Sequence, residues 1–164
     1  MKKTILYIDG YNWYHAIFKH RPEWKWLDLN KFARWLRPHD HIAAIKMFSA
    51  MVEPQNPTSD ARERQDKYFK ALKTLPQIRV ILGAFQPREV QCRAHCKQVY
   101  IVAEEKKTDV NIAVEMLSDA TENSVDSMCL ISGDSDIQPA VECIARKYPA
   151  IDLTVYVPAL PNER

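Results

Sequence analysis

Short apolar runs alternate with helical patterns along this chain, and that alternation narrows its architecture more than any other feature. Thr4 to Asp9, His41 to Ala50, Arg79 to Phe85, Met128 to Ser132 and Leu153 to Val157 read as strands. A helix is expected over residues 12–20. Asp28 caps a second, with Leu29, Phe32, Ala33 and Leu36 at i, i+3, i+4 and i+7, and Pro38 stops it. A third runs from about Asp60 to Leu75, with Tyr68, Leu72 and Leu75 facing inward. The fourth, from Thr108 or Asp109 to about Ala120, is apolar nearly all round. The last opens at Ser135-Asp136-Ile137-Gln138, which resembles a capping box, and reaches Tyr148. Residues 86–106 are less regular, with Gln98 to Val102 a candidate extra strand. Strands that alternate with helices imply right-handed crossovers and an α/β fold: a mostly parallel central sheet flanked by helices in three layers. At 164 residues, with no linker or repeat, the chain reads as a single domain spanning 1–164.

A hydrophobic content of 46% is enough to form a core and excludes general disorder. No apolar run approaches the ~18 residues of a membrane span. Met1-Lys2-Lys3 resembles the start of an export signal, but Asp9 closes the apolar run well short of the roughly 7–15 residues required. A cytoplasmic protein with reduced cysteines is therefore expected. The net charge of +2 conceals an asymmetry. Residues 1–97 hold 18 Lys/Arg against 9 Asp/Glu, and residues 98–164 hold 5 against 12. That division suggests a surface for a polyanion beside a separate concentration of acid. The expected helix over 60–75 carries Arg62, Arg64, Lys67, Lys70 and Lys73, which makes it the leading candidate for that surface.

The acids occupy informative places. Asp9 ends the first strand, Asp134 and Asp136 follow the strand that ends at Ser132, and Asp109 opens a helix between them. In open α/β sheets, ligands bind outside the carboxyl ends of the strands. All four aspartates are expected at that edge. Gathered carboxylates repel one another unless a cation neutralises them, and Mg²⁺ or Mn²⁺ suits such oxygen ligands. An ion held this way activates water and stabilises charge on a phosphoryl group. The alternative for Asp9 is a simple turn with Gly10, and for Asp109 and Asp136 a helix-capping role. With only three glycines, two of them (Gly10 and Gly133) beside these acids, there is no Gly-rich phosphate loop.

Three segments, Ile8-Asp9-Gly10-Tyr11-Asn12, Glu105-Lys106-Lys107-Thr108-Asp109-Val110-Asn111-Ile112-Ala113 and Ile131-Ser132-Gly133-Asp134-Ser135-Asp136, resemble the NYN domain family. That family is related to the PIN-domain nucleases and includes the LabA-like proteins. The resemblance covers nearly the whole chain. It implies a PIN-like fold and metal-dependent cleavage of RNA. Asp9, Asp109, Asp134 and Asp136 match the acidic metal-site positions, and Asn12 matches the polar residue after the first acid, where it would orient a water or contact a phosphate. Ser132 and Asn111 are weaker candidates for supporting hydrogen bonds. Lys107 joins the basic helix as a substrate-binding candidate.

Other residues admit two readings. Cys92, His95 and Cys96 would supply three ligands for a structural zinc, but a zinc needs about four, and free thiols on an exposed loop are the simpler reading. Cys129 and Cys143 sit in apolar patterns and are read as core. Trp24 and Trp26 either pack or stack on unpaired bases; His15 and His20 are either candidates for acid–base chemistry or, as lone histidines, of no special role. The leading function is a metal-dependent endoribonuclease using Mg²⁺ or Mn²⁺ on RNA that is single-stranded or has unpaired regions. A non-catalytic RNA-binding or regulatory module with the same fold is the alternative. An aspartyl-nucleophile phosphatase fits poorly, because no acid stands two positions after Asp9. No membrane partner is expected, and a homodimer is neither required nor excluded.

Overall fold

The computed structural model describes residues 1–52, 59–92, 96–122 and 124–160. Five strands form one parallel sheet: β1 (Lys3–Asp9), β2 (His41–Ser49), β3 (Ile78–Leu82), β6 (Ser127–Ile131) and β7 (Asp152–Tyr156), in the order β3-β2-β1-β6-β7. Between β3 and β6 the chain forms an antiparallel ribbon of β4 (Ala84–Gln91) and β5 (Val99–Lys106). The helices are α1 (Gly10–Trp13), α2 (Leu29–Leu36), α3 (Ala61–Lys73), α4 (Thr108–Thr121) and α5 (Gln138–Lys147).

The two-residue period of β1 divides the core. Leu6 and Ile8 face a layer that holds Trp13, Leu29, Ala33, Phe69 and Leu72 from α1, α2 and α3. Ile5 and Tyr7 face the opposite layer, where Ile112 and Met116 of α4 meet Ile144 of α5. The result is a helix–sheet–helix sandwich with β1 buried at its centre, as the alternation of elements predicts. Two polar assemblies brace it. At the amino-terminal edge Arg37 bonds Asp40 at 2.7 Å and Asp152 at 3.2 Å, while Lys2 reaches Asp152 at 2.9 Å. Within the α4 layer, buried Lys46 of β2 bonds Asp119 at 2.6 Å and Glu115 at 2.5 Å, and the Tyr7 hydroxyl donates to Asp119 at 2.5 Å. Burial first, and then the Asp119 carboxylate, push the Tyr7 phenol far above its ordinary range.

Several local expectations need correction. The expected strand over 79–85 is two strands: β3 ends at Leu82, and after Gly83 the chain leaves the sheet as β4. A Cβ on Gly83 would stand 2.7 Å from the Lys106 carbonyl and 2.7 Å from the Thr108 hydroxyl, so the ribbon's base closes only over glycine. Residues 86–106 form a regular ribbon, in which the candidate strand from Gln98 to Val102 falls in β5; most of the ribbon's described residues are exposed, so no apolar alternation marks the rest. The first helix begins at Gly10 and widens into a π turn over Tyr14–Phe18. Asp134, not Ser135, caps the last helical segment by accepting from the Asp136 amide at 2.9 Å; a short 3₁₀ turn (Ser135–Ile137) then leads into α5. On α4, Val110 and Val114 are exposed, so that helix is apolar on one covered face only. Inward-facing α3 residues are Phe69 and Leu72, with Tyr68 and Leu75 partly buried.

Candidate active site at the carboxyl edge of the sheet

The strand order fixes where a crevice forms. From β1 the chain proceeds outward through β2 to β3, then returns to place β6 on the other side of β1. The direction of winding reverses between β1 and β6, and loops leaving the carboxyl ends of those two strands diverge there. Ile8 pairs with Ile131, so Asp9 stands level with Ser132 across this split. A cavity of about 370 Å³ opens here, lined by Asp9, Tyr11, Asn12, His15, Arg88, Val102, Glu105, Asp109 and Asp134.

Asp9 is its fixed floor. Only 2% of its surface is exposed; one carboxylate oxygen accepts from the Asn12 amide at 2.9 Å and the other from the Ser132 hydroxyl at 2.7 Å. Burial nevertheless outweighs these bonds and holds its pKa above the ordinary carboxylate range. The tight turn that follows needs Gly10, where a Cβ would meet the Phe48 carbonyl at 2.7 Å. Asn12 locks the two loops together: its side-chain oxygen accepts from the Gly133 amide at 2.9 Å. The Asn12 oxygen is thus engaged by the protein itself. Ser132 has a double duty, donating to Asp9 and accepting from the Asp134 amide at 3.0 Å. Asn111 makes a backbone bond to Lys107 and does not line the cavity.

Asp109 enters from the first turn of α4. Its pKa is pushed up to about 6, first by burial and then by the charges of Asp134, Asp9, Glu105 and Asp136. The residue before this helix, Lys107, is held at φ 77°, a left-handed conformation uncommon outside glycine. Asp136 contributes charge but does not line the cavity. The contrast with the amino-terminal edge is direct. Asp152 lies below its usual range through Lys2 and Arg37; Asp40, although burial raises it, is brought low by Arg37 and Thr4. Acids at one edge are neutralised, and acids at the other are crowded.

Glu105 is an acid that sequence reasoning left without a role. It lines the cavity from the end of β5 and accepts bonds from the Thr108 amide, at 3.2 Å, and from the Thr108 hydroxyl. Arg88, Tyr11 and Val102 were likewise unassigned. The signal for Glu105 was its place four residues before Asp109, but it becomes meaningful only once β5 is seen to lead into α4.

The basic candidates lie elsewhere. None of Arg62, Arg64, Lys67, Lys70, Lys73 and Lys107 lines the cavity. Along α3, Arg64 pairs with Asp60, Lys67 with Glu63 at 2.7 Å and Lys70 with Asp66 at 2.6 Å, each at i, i+4 spacing. Trp24 and Trp26 are exposed and also stand away from the cavity. Cys129 is buried and Cys143 partly so. Cys96 is exposed and its thiol is lowered by a backbone bond from Gln98 and by Cys92; His95 lies outside the described residues.

The donors facing the cavity are carboxylate oxygens, suited to a hard dication that keeps most of its waters and touches one or two carboxylates. Among the described residues no three acids, histidines or cysteines are placed so as to hold a metal ion between them. The oxygen chemistry of these acids suits Mg²⁺ or Mn²⁺, while their spacing makes no direct three-ligand set. No helix among the described residues is long and apolar enough to cross a membrane.

The chain is 28% identical over 193 residues to 6-hydroxy-3-succinoylpyridine 3-monooxygenase of Pseudomonas putida; the match takes in 99% of this chain and spans 61% of that protein's length. A crystal structure of a Vibrio parahaemolyticus protein of unknown function superposes with a TM-score of 0.61 at 22% identity, over 95% of this chain and 81% of that one, a likeness of fold. The NYN domain matches residues 3–158, across every strand of the sheet and every acid of the cavity. The chain belongs to the NYN domain family.

Proposed function

We propose that this protein is a metal-dependent endoribonuclease whose reaction takes place at the Asp9–Asp109–Asp134 cavity. The observation that carries the reading is the crowding of carboxylates at the switch point of the sheet, with Asp109 pushed up to about 6 by burial and its acidic neighbours. RNA binding alone does not call for acids facing a phosphate chain, since they oppose it. A dication fits the requirement, and family membership favours Mg²⁺ or Mn²⁺ that touches one or two of Asp9, Asp109 and Asp134 and reaches the other acids, Asp136 included, through its waters.

The chain's own groups have separable tasks. Asp9, fixed by Asn12 and Ser132, presents a carboxylate that does not swing. Asp109, pushed up by burial and by its acidic neighbours while no cation is present, is the carboxylate whose charge a dication would relieve most. Asn12 keeps the β1 and β6 loops in register. When bound, the ion supplies charge neutralisation and makes water acidic enough to attack a phosphodiester. The basic residues of α3 and Lys107 act at longer range by drawing the polyanion to this edge. Their in-helix pairing reduces, without cancelling, the positive charge of α3.

One observation favours a second reading. The Pseudomonas relative is named for oxidising a pyridine, and a cavity of about 370 Å³ lies in the size range of small-molecule sites. A single assay discriminates. Purified protein is incubated with single-stranded RNA and Mn²⁺ or Mg²⁺, with and without EDTA. The expected result is cleavage that EDTA abolishes. Cleavage absent across varied RNAs and both ions would turn attention to the small-molecule reading, or, if RNA still binds, to the non-catalytic module.

A further inference from the structure

Beside the carboxylates, the cavity has a second wall of different chemistry. Because α1 starts at Gly10, Tyr11, Tyr14 and His15 fall at i, i+3 and i+4 and share its outer face, while Trp13 turns into the core. The Tyr11 and His15 ring centroids are 4.5 Å apart. Tyr14 meets His15 edge-on at 5.4 Å, and Tyr11 meets Phe85 of β4 at 6.3 Å. These contacts make a continuous chain of rings from α1 to the ribbon. Lys25 stands 5.1 Å over the Tyr14 ring, which leaves Tyr11 and His15, both cavity-lining and both exposed and tilted 55° to each other, as the open aromatic corner of the cavity. A π turn begins at Tyr14, a rare backbone form that recurs at functional sites.

Arg88 completes the wall. It is the only Lys or Arg among the described residues lining the cavity, and it sits on β4 opposite Val102 of β5, another lining residue. One guanidinium set among carboxylates dictates how an anion can lie there: its charged end goes to Arg88 and away from Asp9 and Asp134. Planar rings beside a guanidinium are what a flat heterocycle with a negative substituent requires.

We infer that Tyr11, His15 and Arg88 form a binding subsite for a planar heteroaromatic ring carrying an anionic group, the ring stacked on Tyr11 with its edge toward His15 and the anion held by Arg88. This rests on reading the cavity as the substrate site, though not on hydrolysis. Two sources share the chemistry: a nucleotide unit of a single strand, or a free heteroaromatic acid. In the first case the subsite reads unpaired bases, since a duplex hides their faces.

The test is calorimetric titration in EDTA, where no cleavage intervenes. The probes are an oligouridylate octamer, 5′-UMP, nicotinate and, as a ringless control, inorganic phosphate. At least one ring-bearing probe should bind more tightly than phosphate, and Tyr11→Ala and Arg88→Gln should each weaken it by roughly tenfold. Tyr11→Phe should keep wild-type affinity, because it keeps the ring. Binding of the octamer and UMP identifies the nucleic-acid source; binding of nicotinate alone identifies the small acid. Phosphate binding as tightly as every ring-bearing probe overturns the inference. So does affinity unmoved by both Tyr11→Ala and Arg88→Gln in variants that unfold like wild type; Arg88 lies on the exposed ribbon, so its variant remains informative if Tyr11→Ala fails to fold. Ring-dependent binding without any RNA cleavage would sink the ribonuclease reading and leave this subsite standing. Cleavage with affinity indifferent to both variants would do the reverse.

Discussion

Asp109 shows how much one side chain records about its surroundings. Its ordinary pKa of 3.8 becomes about 6 in the folded protein. The native state therefore holds this proton more tightly than the unfolded chain does, and stability falls as pH rises from about 4 through about 6, then levels off. Burial raises Asp9 as well, which adds to the same trend. Asp109→Asn should remove the repulsion and stabilise the metal-free protein at pH 7.5 by on the order of 1 kcal/mol, a value reduced because the side chain is partly solvated. Denaturant unfolding of wild type and variant at pH 4.5 and 7.5 checks the sign. A variant equally destabilised at both pH values would mean that Asp109 is a structural cap and nothing more. The position of this acid was legible in the sequence because it opens a helix. Its pKa was not, because the groups responsible come from three other segments of the chain.

At the scale of elements, the sheet, most helices and the core of β5, as the candidate strand from Gln98 to Val102, were legible, and β4 was not. Apolar runs such as Thr4–Ile8 announce buried strands, since every residue must face a covered layer. The ribbon has no such requirement. With Pro87 and a run of polar residues β4 carries no period, so the ribbon's pairing and the roles of Glu105 and Arg88 went unassigned. The i, i+4 acids along α3 were visible in the sequence, yet its basic residues taken alone overstated its free charge. Neutralising Lys67, Lys70 and Lys73 to Gln should accordingly lower RNA affinity modestly and flatten its salt dependence, by about 0.7 in log–log slope for each phosphate no longer neutralised. Salt titrations of binding in EDTA measure this, and an unchanged slope would remove α3 from the interface. The buried clamp between β2 and α4 is a separate matter. Lys46→Met leaves Asp119 without its ammonium partner and should cost about 3–5 kcal/mol of stability in a thermal or denaturant melt. A destabilisation below ~1 kcal/mol would show that the Lys46–Asp119 pair does not hold β2 to α4.

For the whole molecule, the split of charge along the chain becomes a division of labour. The basic amino-terminal part supplies β1, β2, β3 and the first three helices, and the acidic part supplies α4, β6 and α5. They meet between β1 and β6, where Asp9 from one part faces Asp109 and Asp134 from the other. The proposed chemistry depends on that meeting being catalytic. Asp134→Asn examines it with little disturbance, since Asp134 is exposed and an amide oxygen can still accept from the Asp136 amide. The decisive measurement is cleavage of single-stranded RNA in Mn²⁺ by wild type and Asp134→Asn, with RNA affinity measured in EDTA on the same preparations. Cleavage should fall at least a hundredfold, roughly the effect expected when a charge that stabilises the transition state is removed, while affinity stays level or rises as one negative charge leaves the phosphate path. Equal cleavage by the two proteins would contradict the assignment of this site.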